Sequence, residues 1–140
     1  YDLIEMSSIK ENNFMVVLSS DYFNENDLKS NAHDNISIKI DLPSLDKRGL
    51  VERLEIVQEC FKNEARKIDK SFVVEPETLE CLLLYHCKNN IKQLINDISS
   101  ACSHAFLKNL DNDSNVYVYL DDFPIYVKKE FIFYKNVLGR

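Results

Sequence analysis

Glycine is almost missing: the 140-residue chain has Gly49 and Gly139 and no others. A phosphate-cradling loop of the GxxxxGK[ST] kind needs glycines so that backbone N–H groups can reach the phosphates, and no such loop is present. No apolar strand ends in the paired acids that would hold Mg²⁺. The chain by itself is therefore not expected to be an enzyme that hydrolyses ATP. Basic clusters are also scarce. No basic run exceeds two residues (Lys47-Arg48, Arg66-Lys67 and Lys128-Lys129), and the net charge is −6. Nucleic-acid binding draws on clustered Lys and Arg, so direct DNA contact from this segment is not expected. No apolar run approaches the roughly 18 residues of a membrane span. No signal-peptide pattern opens the chain, and a cytoplasmic location is the expectation. The chain begins at Tyr1 rather than Met and is expected to be part of a longer protein. Cys60, Cys81, Cys87 and Cys102 include no CxxC pair. Zinc ligands are usually paired more tightly than Cys81, His86 and Cys87. No metal is expected, and the thiols read as reduced, buried apolar groups beside a surface histidine. There is no internal repeat and no low-complexity segment.

What is present is patterned apolar residues at an ordinary share of 45%. "FMVVLS" (14–19) is a short continuous run that suits a buried strand of parallel type. "ISIKI" (36–40) alternates as a second strand, and Pro43 ends it. Leu50, Leu54, Val57, Phe61, Ala65 and Ile68 recur at helical spacing and predict a helix over about 49–69. Glu52, Arg53, Glu55, Glu59, Lys62 and Glu64 are assigned to its solvated faces. "SFVV" (71–74) reads as an extended link. A second helix starts at Pro76, which suits a first turn, and carries Leu79, Leu82, Leu83 and Leu84 into the core. A third, over about 91–107, buries Ile91, Leu94, Ile95, Ile98, Cys102, Ala105 and Phe106. After the turn "DNDSN", the run "VYVYL" (116–120) reads as a strand. A last helix over about 125–137 carries Val127, Phe131 and Tyr134. The fold class is α/β and helix-dominated: short parallel-type strands, a helical bundle, and a final strand–helix extension.

The bend between the second and third helices is "CKNNIKQL" (87–94). A chain turning within about four residues at a helix C-terminus favours a left-handed residue, Gly first and Asn next. Asn89 is assigned that role. Asn90 is assigned the N-cap of the third helix, its side chain satisfying an orphan N–H. Lys92 lies in the first turn, where a cation opposes the helix dipole. A positive group there suits an anion.

Three stretches together resemble a known family. "LPSLDKRGLVERLEIVQECFKNEARKI", "LLLYHCKNNIKQLINDISSACSHAFL" and "LDDFPIYVKKEFIFY" look like the AAA+ domain of sigma-54-dependent transcriptional activators, and most like the levanase-operon, PTS-regulated branch. Tyr85, Cys87, Asn90, Ile91, Gln93 and Leu94 match that branch's corner motif in place, with Lys88 and Asn89 where it usually has Pro-Gly. The resemblance covers about residues 14–135 and is strongest over 42–107. It implies that 1–43 is the C-terminal remnant of a nucleotide-binding core, 44–107 a helical lid, and 108–140 an extension towards a following regulatory domain. It further implies a parent protein that forms rings, binds ATP and Mg²⁺, remodels sigma-54 RNA polymerase, and meets PTS components through other domains.

The family's site residues map unevenly. Asp34 and Asn35 stand where the family usually places arginines that reach a neighbouring subunit's nucleotide. An Asp there repels phosphate, and neither residue offers the charged fork. Lys92 falls where many of these activators carry the lid's phosphate-sensing Arg, and offers a point charge without a bidentate grip. Ser20 falls where the family places a polar phosphate sensor. Arg48, after the LPSL motif, is expected to help hold lid to core. A different class of function is a non-enzymatic helical module that binds a partner protein through a Leu and Tyr surface; the aromatic content (Phe106, Tyr117, Tyr119, Tyr126, Phe131, Phe133 and Tyr134) allows it, and core packing of the last strand and helix is the other reading of those residues.

Overall fold

The longest apolar stripe does wind into a helix. In the computed structural model, which describes residues 17, 19, 38–110 and 115–138, α1 spans Leu50–Ile68. It stops at Asp69, which takes the left-handed conformation with φ 53° and donates its N–H to the Ala65 carbonyl. Asp tolerates that region better than most residues because its short polar side chain is locally adaptable. The chain then runs straight into β1 (Ser71–Val74), the stretch read as a mere link. β1 pairs in parallel with β2 (Asn115–Val118), Phe72 opposite Val116 and Val74 opposite Val118. A parallel pair requires a long crossover. It is supplied by α2 (Pro76–Leu84, with Pro76 in its first turn) and α3 (Asn90–Lys108). A short 3₁₀ turn (Leu45–Lys47) precedes α1, another (Leu120–Asp122) follows β2, and α4 (Ile125–Leu138) closes the order. The Glu75 N–H donates to the Val118 carbonyl at 3.1 Å, carrying the strand pairing to the threshold of α2.

Residues 43–140 make one compact unit and residues 1–42 another. The core of the first of these is shared by every element. Val57 and Phe61 come from α1, and Cys81 and Leu82 from α2. Leu94, Ile98, Ala101, Cys102 and Ala105 come from α3, and Val116, Val118, Phe123, Val127 and Phe131 from the last third. Those five late side chains, at about 1.5–3 kcal/mol each for full burial, give an upper estimate of about 8–15 kcal/mol. That matches the whole net stability of a typical domain. Val116, Val118, Phe123, Val127 and Phe131 thus share one core with the residues of α1, α2 and α3.

Several expectations require correction. Among the described residues of the two strands expected before Pro43, neither Val17 and Ser19 nor Ile38–Ile40 lie in a strand, and Ile38 and Ile40 are each 78% exposed. Among the described residues, the parallel pairing joins 71–74 and 115–118. Leu50 is 58% and Ile95 46% exposed, so neither joins the core. Arg53, assigned to a solvated face, is buried at 4%. The cysteine assignment fares better: Cys81, Cys87 and Cys102 are buried, Cys60 is half-buried, and all four are free thiols. Among the described residues, no helix is long and apolar enough to cross a membrane.

Candidate functional site

The corner between α2 and α3 is built around two asparagines, with their roles exchanged relative to the sequence expectation. Asn90, not Asn89, takes the left-handed conformation, at φ 58°. Its side chain does not cap α3. Instead Asn90 Oδ1 accepts the Leu45 backbone N–H at 2.6 Å, a link across 45 residues of sequence. Asn89 precedes α3 at φ −98°, makes no side-chain cap bond, and donates its backbone N–H to Gln93 Oε1 at 3.1 Å. The Gln93 side chain, one turn in, thereby reaches back to a backbone donor at the entry to α3. The reversal has a cause outside the local sequence. The turn at 44–48 presents a partly buried N–H that needs an acceptor, and the Asn90 side chain supplies it.

The same turn is tied to the end of α2 by Arg53. Its Nε donates to the Leu82 carbonyl at 2.9 Å, and its Nη2 donates to the Tyr85 carbonyl. These are last-turn carbonyls that a helix leaves unpaired, and a cation there complements the negative end of the helix dipole. The guanidinium lies over the Tyr85 ring at 5.5 Å, within cation–π range. Its Nη1 pairs with Asp46 at 3.6 Å. The other oxygen of Asp46 lies 2.6 Å from His86 Nδ1. On the far side of Tyr85, its hydroxyl donates to Asp97 Oδ2 at 3.0 Å, and the Tyr126 hydroxyl donates to Asp97 Oδ1. One buried carboxylate on α3 therefore holds the end of α2 and the start of α4. Burial pushes the Tyr85 phenol well above its ordinary range, and hydrogen bonding to the neighbouring Cys87 and Asp97 adds to the shift. The Tyr126 phenol rises to about 12, through desolvation and then its bond to Asp97. Burial likewise raises the Cys87 thiol. None of these groups is set up to act as a base or nucleophile near neutral pH.

Of the residues singled out from sequence, Arg48 and Lys92 lie on the two segments that the Leu45–Asn90 bond joins. Lys92 is exposed in the first turn of α3, which holds no acidic residue, and it has no ion-pair partner among the described residues. Arg48 donates through Nε to the Pro43 carbonyl at 3.2 Å and pairs through Nη1 with Glu52. Ser20, Asp34 and Asn35 lie outside the described residues. Sequence reasoning missed Arg53 and Asp97, although a signal was present. Arg53, Val57 and Phe61 are spaced four apart, so a face that buries the last two also buries the first. Asp97 sits between Leu94 and Ala101 on the buried face of α3 in the same way.

No family model matches the chain, and no solved structure matches it. It is 30% identical over 97 residues to the transcriptional regulatory protein LevR of Bacillus subtilis (strain 168), an alignment covering 69% of this chain and 10% of LevR. It is 32% identical over 71 residues to the transcriptional regulatory protein DagR of Salmonella typhimurium (strain 14028s / SGSC 2262), covering 51% of this chain and 8% of DagR. The chain thus spans about a tenth or less of the length of these relatives. What it is similar to, over most of its own length, is a segment of large transcriptional regulators of the LevR and DagR kind.

Proposed function

We propose that this chain is part of a transcriptional regulator in which residues 44–107 serve as the helical lid of a levanase-operon-type, sigma-54-dependent AAA+ module. In this reading the whole protein binds ATP and Mg²⁺ and assembles into a ring. It couples nucleotide turnover to remodelling of sigma-54 RNA polymerase in the cytoplasm, and takes its signal from PTS components through other domains. The observation that carries the reading is the similarity to two transcriptional regulatory proteins, the longer alignment spanning 97 residues. The geometry of the corner is consistent with it. Lys92 is an exposed cation at the positive end of α3, and both features favour an anion. Arg48 stands on the turn that Asn90 binds to that helix end. Asp34 and Asn35 in place of arginines make the parent a weak or degenerate ATPase. This chain alone carries out no catalysis.

The test is titration of a fluorescent ATP analogue with Mg²⁺ against the full-length protein. Lys92→Ala and Arg48→Ala should each weaken binding by about fivefold, an exposed charge–phosphate contact being worth about 1 kcal/mol. Unchanged affinity in Lys92→Ala removes that residue from the site. Asp34→Arg with Asn35→Arg should raise ATP turnover, and no change counts against the degenerate-finger assignment.

The alternative is a non-enzymatic helical interaction module. The outer surface of α4 favours it, where Ile125, Ile132, Phe133 and Val137 are all exposed. A full-length protein with no measurable nucleotide affinity, but with transcriptional activation lost in Phe133→Ser, would put this reading in place of the first.

A further inference from the structure

Beside the corner lies a groove of about 240 Å³, between the turn at 44–48, the start of α1, the end of α2 and α4. Its apolar wall includes Leu50, Leu83 and Tyr134, and its polar side is formed by Arg48, Arg53, His86 and Asp46. We propose that this groove is a docking site for a partner-protein segment that presents a carboxylate side chain next to an aliphatic or aromatic one.

Charge complementarity commits the site to that occupant. The chain as a whole carries −6, yet this groove gathers two guanidinium groups and an imidazole against one carboxylate. The Asp46 carboxylate already sits between Arg53 and His86, at 3.6 and 2.6 Å. The groove therefore holds a carboxylate in the way a visiting one would be held. Capacity remains beyond Asp46. Among the described residues, Arg53 Nη1 makes that one long ion pair and no hydrogen bond, while Nε and Nη2 are committed to carbonyls. Arg48 is balanced only by Glu52, which is half exposed and does not line the groove. A guanidinium fork prefers planar bidentate anions. At about 240 Å³ the groove is smaller than the roughly 300–1,000 Å³ of drug-sized and cofactor sites and matches one or two side chains. The inference shares Arg48 with the nucleotide reading but not Lys92, which does not line the groove, so peptide binding read at Arg53 and His86 stands or falls separately from ATP affinity.

The experiment uses the whole 140-residue chain, isotopically labelled, and a capped hexapeptide with one Glu flanked by Leu and Phe, beside its Gln counterpart. The Glu peptide should shift the Arg48 and Arg53 side-chain Nε–H resonances and the His86 ring. It should bind about tenfold more tightly than the Gln peptide, the worth of one charge-assisted hydrogen bond. Arg48→Gln should abolish that difference. Asp46→Asn, which removes the internal competitor, should tighten Glu-peptide binding. Both substitutions are at positions outside the core, so folding is retained, and backbone spectra verify this. Equal binding of the two peptides overturns the proposal. So do shifts confined to the outer face of α4, or inorganic phosphate shifting the groove resonances while the peptide does not.

Discussion

Replacing Arg53 tests whether a buried cation holds the corner together. Arg53→Met keeps the length and apolar stem of the side chain but removes every donor. The Leu82 and Tyr85 carbonyls then lose their guanidinium partners in a buried setting, at about 1–3 kcal/mol each. The stacking on Tyr85 adds about 1 kcal/mol. The Asp46 pair adds little, because that carboxylate is partly exposed and solvent screens it. Removing the charge also relieves its own desolvation, which offsets part of the loss. The expected net destabilisation is about 3–4 kcal/mol. For a unit of about 100 residues that is a melting-temperature drop of at least about 12 °C. Arg53→Lys separates charge from geometry. A single ammonium cannot reach both carbonyls as a planar fork does, so it should forfeit most of the same stability. Urea denaturation followed by circular dichroism, with thermal melts alongside, gives both values. If Arg53→Met lies within about 1 kcal/mol of the parent with an unchanged denaturant slope, the carbonyls are being satisfied by water and the guanidinium is not what joins α1 to the corner.

Asn90→Ala should cost about 2–3 kcal/mol, from the left-handed backbone and the lost Leu45 bond together, while Asn90→Gly should cost less because only the bond is lost; paired urea melts check the order. Tyr126→Phe should cost about 1 kcal/mol by freeing α4 from Asp97, and a double-mutant cycle with Tyr85→Phe should reveal coupling through the shared carboxylate. Burial raises the Cys81 and Cys102 thiols from 9.0 to about 12. The unfolded chain therefore releases these protons first as pH rises, and stability should fall from about pH 9 towards 12; Cys81→Ala with Cys102→Ala should flatten that slope. With both of these thiols protonated and buried, a thiol reagent at pH 8 should label half-buried Cys60 in the native state well before either.

Helix positions were legible before any coordinates, because each rests on a period that the chain carries locally. The stripe through Val57 and Phe61, Pro76 in a first turn, and Leu94, Ile98 and Cys102 on one face mark α1, α2 and α3 within a residue or two. Even the need for a left-handed residue at the Asn-Asn step could be read from the demand for a tight bend. Which asparagine would adopt it could not. Asn89 and Asn90 have the same intrinsic preference, and the choice falls to a donor 45 residues away, the Leu45 N–H. Likewise "SFVV" is too short to be distinguished from a link until β2 lies beside it, since a strand's hydrogen bonds are made with another segment. Arg53 reads as surface because arginine usually is; only the end of α2, delivering two unpaired carbonyls onto that face of α1, makes its burial favourable. The sequence by itself thus determined the helices and the need for a bend, both of which depend on neighbours within a few residues. The parallel strand pair, the buried Arg53 and Asp97, and the groove beside the corner were decided by tertiary structure alone, because each exists only where segments distant in the chain bring complementary donors, acceptors and charges together.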